Sequence, residues 1–264
     1  MRIDLTGRTA LVTASTQGIG SAIAAGLAAA GARVGVNGRD KGKLDEAVRR
    51  LREKVPGGDF VAINANVVSE EDAARAVDAL PEVDILINNL GVYGFQDPLA
   101  ITDEDWRRYF EVNVLAAVRL TRAYLPRMIE QGWGRIQYIS SESSVAIPAE
   151  MIHYGMTKTS LLAVGRGFAK AAAGTGVTVN SVLAGPTHTA GVEDFVYDLV
   201  GRGKPWPEAE RIFMKEHRPQ SLLRRLIAPE EIANMSVYLS SDQASATTGG
   251  AVRVDGGVVD AIIP

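Results

Sequence analysis

Arg8-Thr9-Ala10-Leu11-Val12-Thr13-Ala14, then Ser15-Thr16-Gln17-Gly18-Ile19-Gly20, then the alanine-rich run Ser21 to Ala30 closed by Gly31, read as strand, turn and helix in that order. Ala10, Leu11 and Val12 make the centre of a short buried strand. The run from Ser21 has the composition of a strong helix former, and Gly31 supplies its C-terminal stop. Such a turn brings backbone N–H groups and the positive end of a helix dipole together, which suits a phosphate, and Gly18 and Gly20 let a ligand approach the backbone. The same residues also fit a plain strand-to-helix turn, and this segment alone leaves both readings open.

The alternation continues outward from this unit. Strands are expected at Ala32 to Asn37, Phe60 to Asn64, Val83 to Asn88, Gly134 to Ser140, Val177 to Leu183 and Ala251 to Val254. Between them the spacing predicts helices over Lys43 to Lys54 and over Ser69 to Leu80, the latter with Ser69 as N-cap. A long helix capped by Thr102 should run to about Met128, burying Trp106, Phe110, Val114, Ala117, Val118 and Tyr124. Another runs from His153 to about Ala173, and a last one starts at Pro229-Glu230-Glu231. Strand and helix in regular alternation imply an α/β protein: one domain over residues 1–264, a Rossmann-type, doubly wound, parallel sheet of seven strands with helices on both faces. Residues 188–228 break the rhythm and read as helical pieces between loops, an insertion placed where a substrate lid would sit.

Composition narrows the function. The chain has 264 residues, 46% of them hydrophobic, which suits one sizeable globular core. Net charge is −3 with acids and bases interspersed, so no basic face is offered to nucleic acid. There is no cysteine, which removes disulfides, thiolate metal sites and a cysteine nucleophile. His153, His188 and His217 lack metal-ligand spacing, and no metal is expected. The N-terminus lacks a signal-peptide apolar run, and no apolar stretch of about 18 residues exists to span a membrane. A soluble, cytoplasmic protein is expected.

Chemistry is carried by residues at strand ends and on one helix. His153-Tyr154-Gly155-Met156-Thr157-Lys158 puts a tyrosine and a lysine four apart, on one helical face. An ammonium beside a phenol favours the phenolate, so Tyr154 is a candidate acid or base. Chance also places such pairs on many helices. Asn88-Asn89-Leu90-Gly91 and Ser141-Glu142-Ser143-Ser144 each follow a strand, at the edge where open parallel sheets bind ligands, although turns favour the same residues. Asn113 is a poor residue for a helix interior unless it faces solvent or has a task. After the second strand comes Gly38-Arg39-Asp40. An acid there would suit a free ribose 2′-hydroxyl, an arginine a 2′-phosphate; Asp40 also fits as the N-cap of the next helix.

Taken together these motifs resemble the short-chain dehydrogenase/reductase family, in its single-domain, 3-oxoacyl-ACP-reductase-like form, from Leu5 to Gly257. Ser141 lies thirteen residues before Tyr154, and Lys158 four after. With Asn113 in Glu-Val-Asn-Val, they are similar to the family's Asn-Ser-Tyr-Lys tetrad. Asn88 to Gly91 matches Asn-Asn-Ala-Gly with Leu90 for alanine, and Asn180 to Gly185 matches Asn-x-Val-x-Pro-Gly with Ala184 for proline. The glycine motif departs at its first position, where Ala14 stands for glycine; the loop is expected to survive with slightly altered contacts. The usual aspartate near the adenine is Asn66, and Gln17 holds a place often basic in NADP-binding members.

The resemblance implies hydride transfer between a nicotinamide dinucleotide and a carbonyl or secondary alcohol. Tyr154 would be the general acid/base, Ser141 the carbonyl-oxygen donor, Lys158 the group that lowers the tyrosine pKa and holds the ribose, and Asn113 the anchor of a relay water. The dinucleotide would contact Thr13, Ser15, Gln17, Gly18, Ile19, Gly20, Arg39, Asn66, Val67, Asn89, Gly91, Tyr154, Lys158, Gly185, Thr187 and Thr189. Arg39 favours NADP(H), with NAD(H) the alternative. Glu142, Met151, His153, Trp206 and Phe213, with Ile147 and Met214 nearby, are the candidate substrate walls, suggesting an apolar or mixed carbonyl compound. The family also implies a homotetramer or homodimer. A rival reading is a non-catalytic NADP-sensing regulator on the same fold, which need not retain the tetrad. An isomerase or dehydratase usually brings a larger substrate domain.

Overall fold

The computed structural model describes residues 2–263; Met1 and Pro264, the ends of the expected domain, lie outside them. Strands β1 (Thr9–Val12), β2 (Arg33–Gly38), β3 (Phe60–Asn64), β4 (Ile85–Asn88), β5 (Gly134–Ser141), β6 (Val177–Ala184) and β7 (Ala251–Val254) form one sheet. The order is β3-β2-β1-β4-β5-β6-β7, and every pairing is parallel. β5 and β6 are buried along their whole length, as strands covered on both faces must be.

Helices α1 (Gly18–Ala29) and α2 (Lys41–Lys54) cover one face, together with a late helix, Pro229–Leu239. Ile23, Leu27, Leu44, Leu51, Ile232 and Leu239 share a core there with Val12, Val34 and Val36. The other face carries α3 (Glu70–Ala79), a long helix after β4, and α6 (Ile152–Ala171), where Ala76, Leu120, Tyr124 and Leu161 pack on Leu11, Leu86 and Ile136. The sheet is therefore doubly wound. Strand order reverses between β1 and β4, and the crevice outside their C-terminal ends is the natural ligand site.

Local signals act as their chemistry dictates. Asp40 caps α2 by accepting from Lys43 N at 2.9 Å, and Ser69 caps α3 through Asp72 N at 3.1 Å. Gly31 ends α1 at φ +98°, a conformation that favours glycine. The helix expected from Thr102 to Met128 differs from its reading. It comprises α4 (Asp103–Phe110), a π-turn (Glu111–Leu115) and α5 (Ala116–Glu130). The π-turn rotates the helix face: Tyr109, Asn113, Val114, Ala117, Leu120 and Tyr124 are buried, while Phe110 is exposed and Trp106 and Val118 are only half-buried. The irregular segment after β6 holds α7 (Ala190–Val200) and α8 (Trp206–His217), which share a small core of Val196, Ala209, Phe213, Met214 and Leu226. The late helix is α9 (Pro229–Leu239). No helix among the described residues is long and apolar enough to cross a membrane.

Candidate active site

The loop from β1 into α1 is braced by asparagines. Asn37 accepts from Ala14 N at 3.2 Å and donates to Ile63 O and Ala65 O, both at 3.0 Å. Asn89 donates to Thr13 O at 3.0 Å and Ala14 O at 3.2 Å. These bonds hold Ala14 at φ +49° and leave no room beside Gly20, whose Cβ would lie 2.5 Å from Asn89 Nδ2. The N-terminus of α1 has no side-chain cap and no acid in its first turn, so its orphan N–H groups face the groove. That donor set fits a pyrophosphate. Thr16, Gln17, Gly18, Ile19, Gly20, Asn89, Gly91 and Thr189 line this groove, with Lys54, itself paired to Glu230 at 2.8 Å. Three expected contacts have other work for their side chains. Thr13 Oγ1 accepts from Asn89 N and Leu90 N, both at 2.9 Å, tying β1 to β4. Ser15 Oγ is buried between Val12 O and Asn37 N. Val67 is buried and turned toward Thr13, Asn88 and Leu90. Asn66 and Arg39 are exposed at the ends of β3 and β2, and Arg39 makes no ion pair among the described residues.

The groove runs into a deeper cleft lined by Ser141, Tyr154 and Lys158, with Gly185 and Thr187 from the end of β6. β5 ends at Ser141 and α6 begins just before Tyr154, so the sheet edge and the helix start deliver both hydroxyls. Lys158, one turn on, donates to Ile139 O at 2.8 Å, and its Nζ lies 5.6 Å from the Tyr154 ring centre. Asn113 is fully buried, not solvent-facing. Its Nδ2 donates to Thr157 Oγ1 at 2.9 Å and Val92 O at 3.0 Å, and its Oδ1 accepts from Val92 N at 2.8 Å. Its amide clamps the loop after β4 onto α6, with both N–H donors committed.

The expected substrate walls divide. Glu142, Met151 and Phe213 line the cleft. His153 does not: it is buried beneath Tyr109, ring centres 4.0 Å apart, and Trp106. Trp206 stacks on His188 at 4.7 Å and packs on Tyr197, away from the cleft. Ile147 is exposed and Met214 sits in the small core of α7 and α8. Among the lining residues that the sequence did not point to are Tyr93, Val192, Phe195 and Arg218. Tyr93 meets Tyr154 edge-on at 6.2 Å, and Phe195 stacks on Phe95 at 4.4 Å.

A family model described as enoyl-(acyl carrier protein) reductase matches residues 13–259. The chain belongs to the short-chain dehydrogenase/reductase family. It is 45% identical to the uncharacterized oxidoreductase YvaG of Bacillus subtilis, over 99% of this chain and 100% of that one. It is 34% identical to the 3-oxoacyl-[acyl-carrier-protein] reductase FabG of Aquifex aeolicus, over 98% and 100%. The crystal structure of L-sorbose reductase from Gluconobacter frateurii, complexed with NADPH and L-sorbose, shares 31% identity and a TM-score of 0.92, covering 99% and 100%. The short-chain dehydrogenase/reductase described here is an NAD(P)-dependent oxidoreductase, and the regulatory alternative finds no support among these relatives.

In this short-chain dehydrogenase/reductase the electrostatics depart from the expectation that Lys158 lowers the tyrosine pKa. Burial of the phenol pushes Tyr154 well above the ordinary tyrosine value, even though part of its ring faces the cleft. The nearby Glu142 carboxylate raises it further, and a hydrogen bond with Ser141 acts the other way. Lys158 is itself lowered to about 8 by burial, with Glu142 opposing that shift. Glu142 is raised by burial, against the Ser141 hydroxyl, which donates to its Oε2, and against Arg218, whose Nε is 3.8 Å from Oε1. No sequence periodicity marks this carboxylate as the charge that dominates its neighbours; its position next to Ser141 was the available signal.

Proposed function

We propose that the protein reduces a carbonyl to a secondary alcohol, with Tyr154 as proton donor. The observation that carries this is the convergence of Ser141, Tyr154 and Lys158 in one cleft continuous with the uncapped N-terminus of α1. The nicotinamide dinucleotide, when bound, supplies the hydride. Tyr154 keeps its proton because its ionisation is disfavoured, and a neutral phenol is what a developing alkoxide needs beside it. The Ser141 hydroxyl fixes the carbonyl oxygen next to that phenol. Lys158, fixed at Ile139 O, provides a hydrogen-bond donor in the cleft that would hold the ribose. Asn113 holds the loop carrying Gly91 and Val92 against α6, which keeps Lys158 in place.

NADP(H) is the favoured cofactor. Gly38 offers no carboxylate, and its Cβ would lie 2.6 Å from Thr16 Cγ2, so an acid would not be accommodated there without movement. Arg39 is next, exposed and without an ion-pair partner among the described residues. L-sorbose reductase, bound to NADPH, supports the same choice. The α7–α8 unit, with its own core over the cleft, serves as the lid. A homotetramer, or a homodimer, is supported by apolar side chains exposed near the C-terminal end, Leu222, Leu223, Ile262 and Ile263; sedimentation velocity checks it. The relatives' own substrates, a sugar and a 3-oxoacyl carrier-protein compound, point in different directions.

Tyr154→Phe tests the reading. It keeps the ring and removes the proton, so kcat should fall by about 10²–10⁴-fold while dinucleotide fluorescence titration is nearly unchanged. Undiminished turnover in the variant would refute the assignment.

A further inference from the structure

The deep end of the cleft is not apolar. Glu142 lies beside Ser141 with only 6% of its surface exposed, and Arg218, 14% exposed at its side chain, arrives from the end of α8 to face it. Met151, Phe195 and Phe213 line the same cleft, and the Arg218 guanidinium lies over the Phe213 ring, 5.5 Å from its centre. Resting on the hydride-transfer reading, we propose that Glu142 and Arg218 form a hydroxyl-recognition pair, and that the substrate is a neutral ketone carrying a hydroxyl on the carbon next to the carbonyl, as in an open-chain ketose.

Unused hydrogen-bonding capacity points to hydroxyls. A buried ion pair repays its desolvation only when the remaining lone pairs and protons find partners. Glu142 has about four acceptor sites; the Ser141 hydroxyl takes one, and the backbone N–H groups of Glu142 and Ser143 also bear on the carboxylate, which leaves part of its capacity facing the cleft. Arg218 Nη1 donates to His217 O at 2.7 Å, but its Nε is 3.8 Å from Glu142 Oε1, beyond hydrogen-bond reach. Acceptors and donors therefore remain side by side on a wall of the cleft.

Charge argues for a neutral ligand. The pair sums to zero, so a substrate carboxylate drawn to Arg218 would sit against the Glu142 charge. A hydroxyl donates to one partner and accepts from the other. Distance places that hydroxyl next to the carbonyl. When Ser141 turns its one proton from Glu142 to the carbonyl oxygen, the adjacent hydroxyl, whose oxygen lies about one hydrogen-bond length, ~2.8 Å, from that carbonyl oxygen, takes its place as donor to Glu142. The aromatic and methionine side chains that line the same cleft suit the C–H face of such a molecule.

Steady-state reduction of hydroxyacetone, D-fructose, 2-butanone and acetoacetate by the intact enzyme with NADPH tests this. The hydroxylated ketones should exceed 2-butanone in kcat/KM by about 100-fold or more, because unpaired buried polar groups penalise the analogue lacking the hydroxyl. In Glu142→Gln and in Arg218→Met that ratio should fall about tenfold or more, chiefly through KM, with both variants checked for dinucleotide binding and melting temperature. Equal efficiency on 2-butanone, a preference for acetoacetate, or an unchanged ratio in both variants would overturn the pairing while leaving hydride transfer intact. Absence of turnover on every carbonyl, with dinucleotide bound, would overturn both readings.

Discussion

The hydroxyl of Ser141 donates to the carboxylate of Glu142, the next residue along the chain. A hydroxyl has one proton, so the serine that should steady a carbonyl oxygen is shared with a buried acid. The same acid raises the pKa of Tyr154, second only to burial. Removing its charge in Glu142→Gln should ease ionisation of the phenol. On the mechanism proposed above, the base form of Tyr154 is the active one in alcohol oxidation, so the acid limb of the kcat/KM profile should move to lower pH in the variant. Because Tyr154 lies well above the ordinary tyrosine value, the measurement is the rising part of that profile from about pH 8 to 11, where the variant should be faster than the parent at each pH. A limb that stays in place or moves upward would show that Glu142 does not act on Tyr154.

Lys158 is a second pH-sensitive element, and its sign is opposite to that of a paired carboxylate. Its pKa is lowered to about 8 in the folded protein, while an unfolded lysine titrates near 10.5. Below pH 8 both states carry the proton and the fold bears the cost of a buried ammonium. Between about 8 and 10.5 the unfolded chain holds more protons, so this residue's contribution to stability rises with pH. The full span is worth at most ~3 kcal/mol. Urea unfolding at pH 7.5 and 10 should show a smaller rise, or a larger fall, in Lys158→Met than in the parent. Identical differences in the two proteins would place the ammonium in an environment no worse than water.

The fold was legible because buried parallel strands leave short apolar runs, and because Ser69, Thr102 and Asp40 cap helices by local chemistry alone. Ser141, Tyr154 and Lys158 were legible as a group since one strand end and one helix start hold all three. Arg218 and Phe195 were not. They reach the cleft only through the packing of α7 on α8, a relationship made in space and not along the chain. Trp206 was misplaced for the same reason: an aromatic in a lid segment has two sides to choose from, and this one found His188. The π-turn at Asn113 shifts the hydrogen-bond phase without a proline or glycine to announce it. The tyrosine's pKa was misjudged because spacing reveals a neighbouring charge but not the depth of burial.

Arg39 decides cofactor choice if a 2′-phosphate is what it meets. A charge-assisted hydrogen bond to phosphate contributes about 1.5–3 kcal/mol. Arg39→Ala should therefore raise KM for NADPH by about 10–100-fold and leave KM for NADH within about threefold. The check is steady-state kinetics with both dinucleotides at fixed carbonyl substrate. An enzyme that prefers NADH, or a variant that loses both cofactors equally, would count against the role.

Ala14 stands where the family carries glycine, and it adopts the conformation glycine was suited for, φ +49°. Asn37 holds its N–H and Asn89 its carbonyl, so the loop fixes the backbone and alanine bears the strain. A left-handed L-residue costs about 1–2 kcal/mol. Glycine would relieve that, but its freer unfolded chain returns about 0.5–1 kcal/mol. Ala14→Gly should thus be neutral to mildly stabilising, a gain of no more than ~1.5 kcal/mol and ~3–6 °C in Tm for a chain of this size. Ala14→Val, with a β-branched side chain at positive φ, should lose at least ~2 kcal/mol. Calorimetry on the two variants decides it: a glycine variant destabilised as much as the valine one would mean that the alanine methyl packs favourably and that backbone strain is not what governs this position.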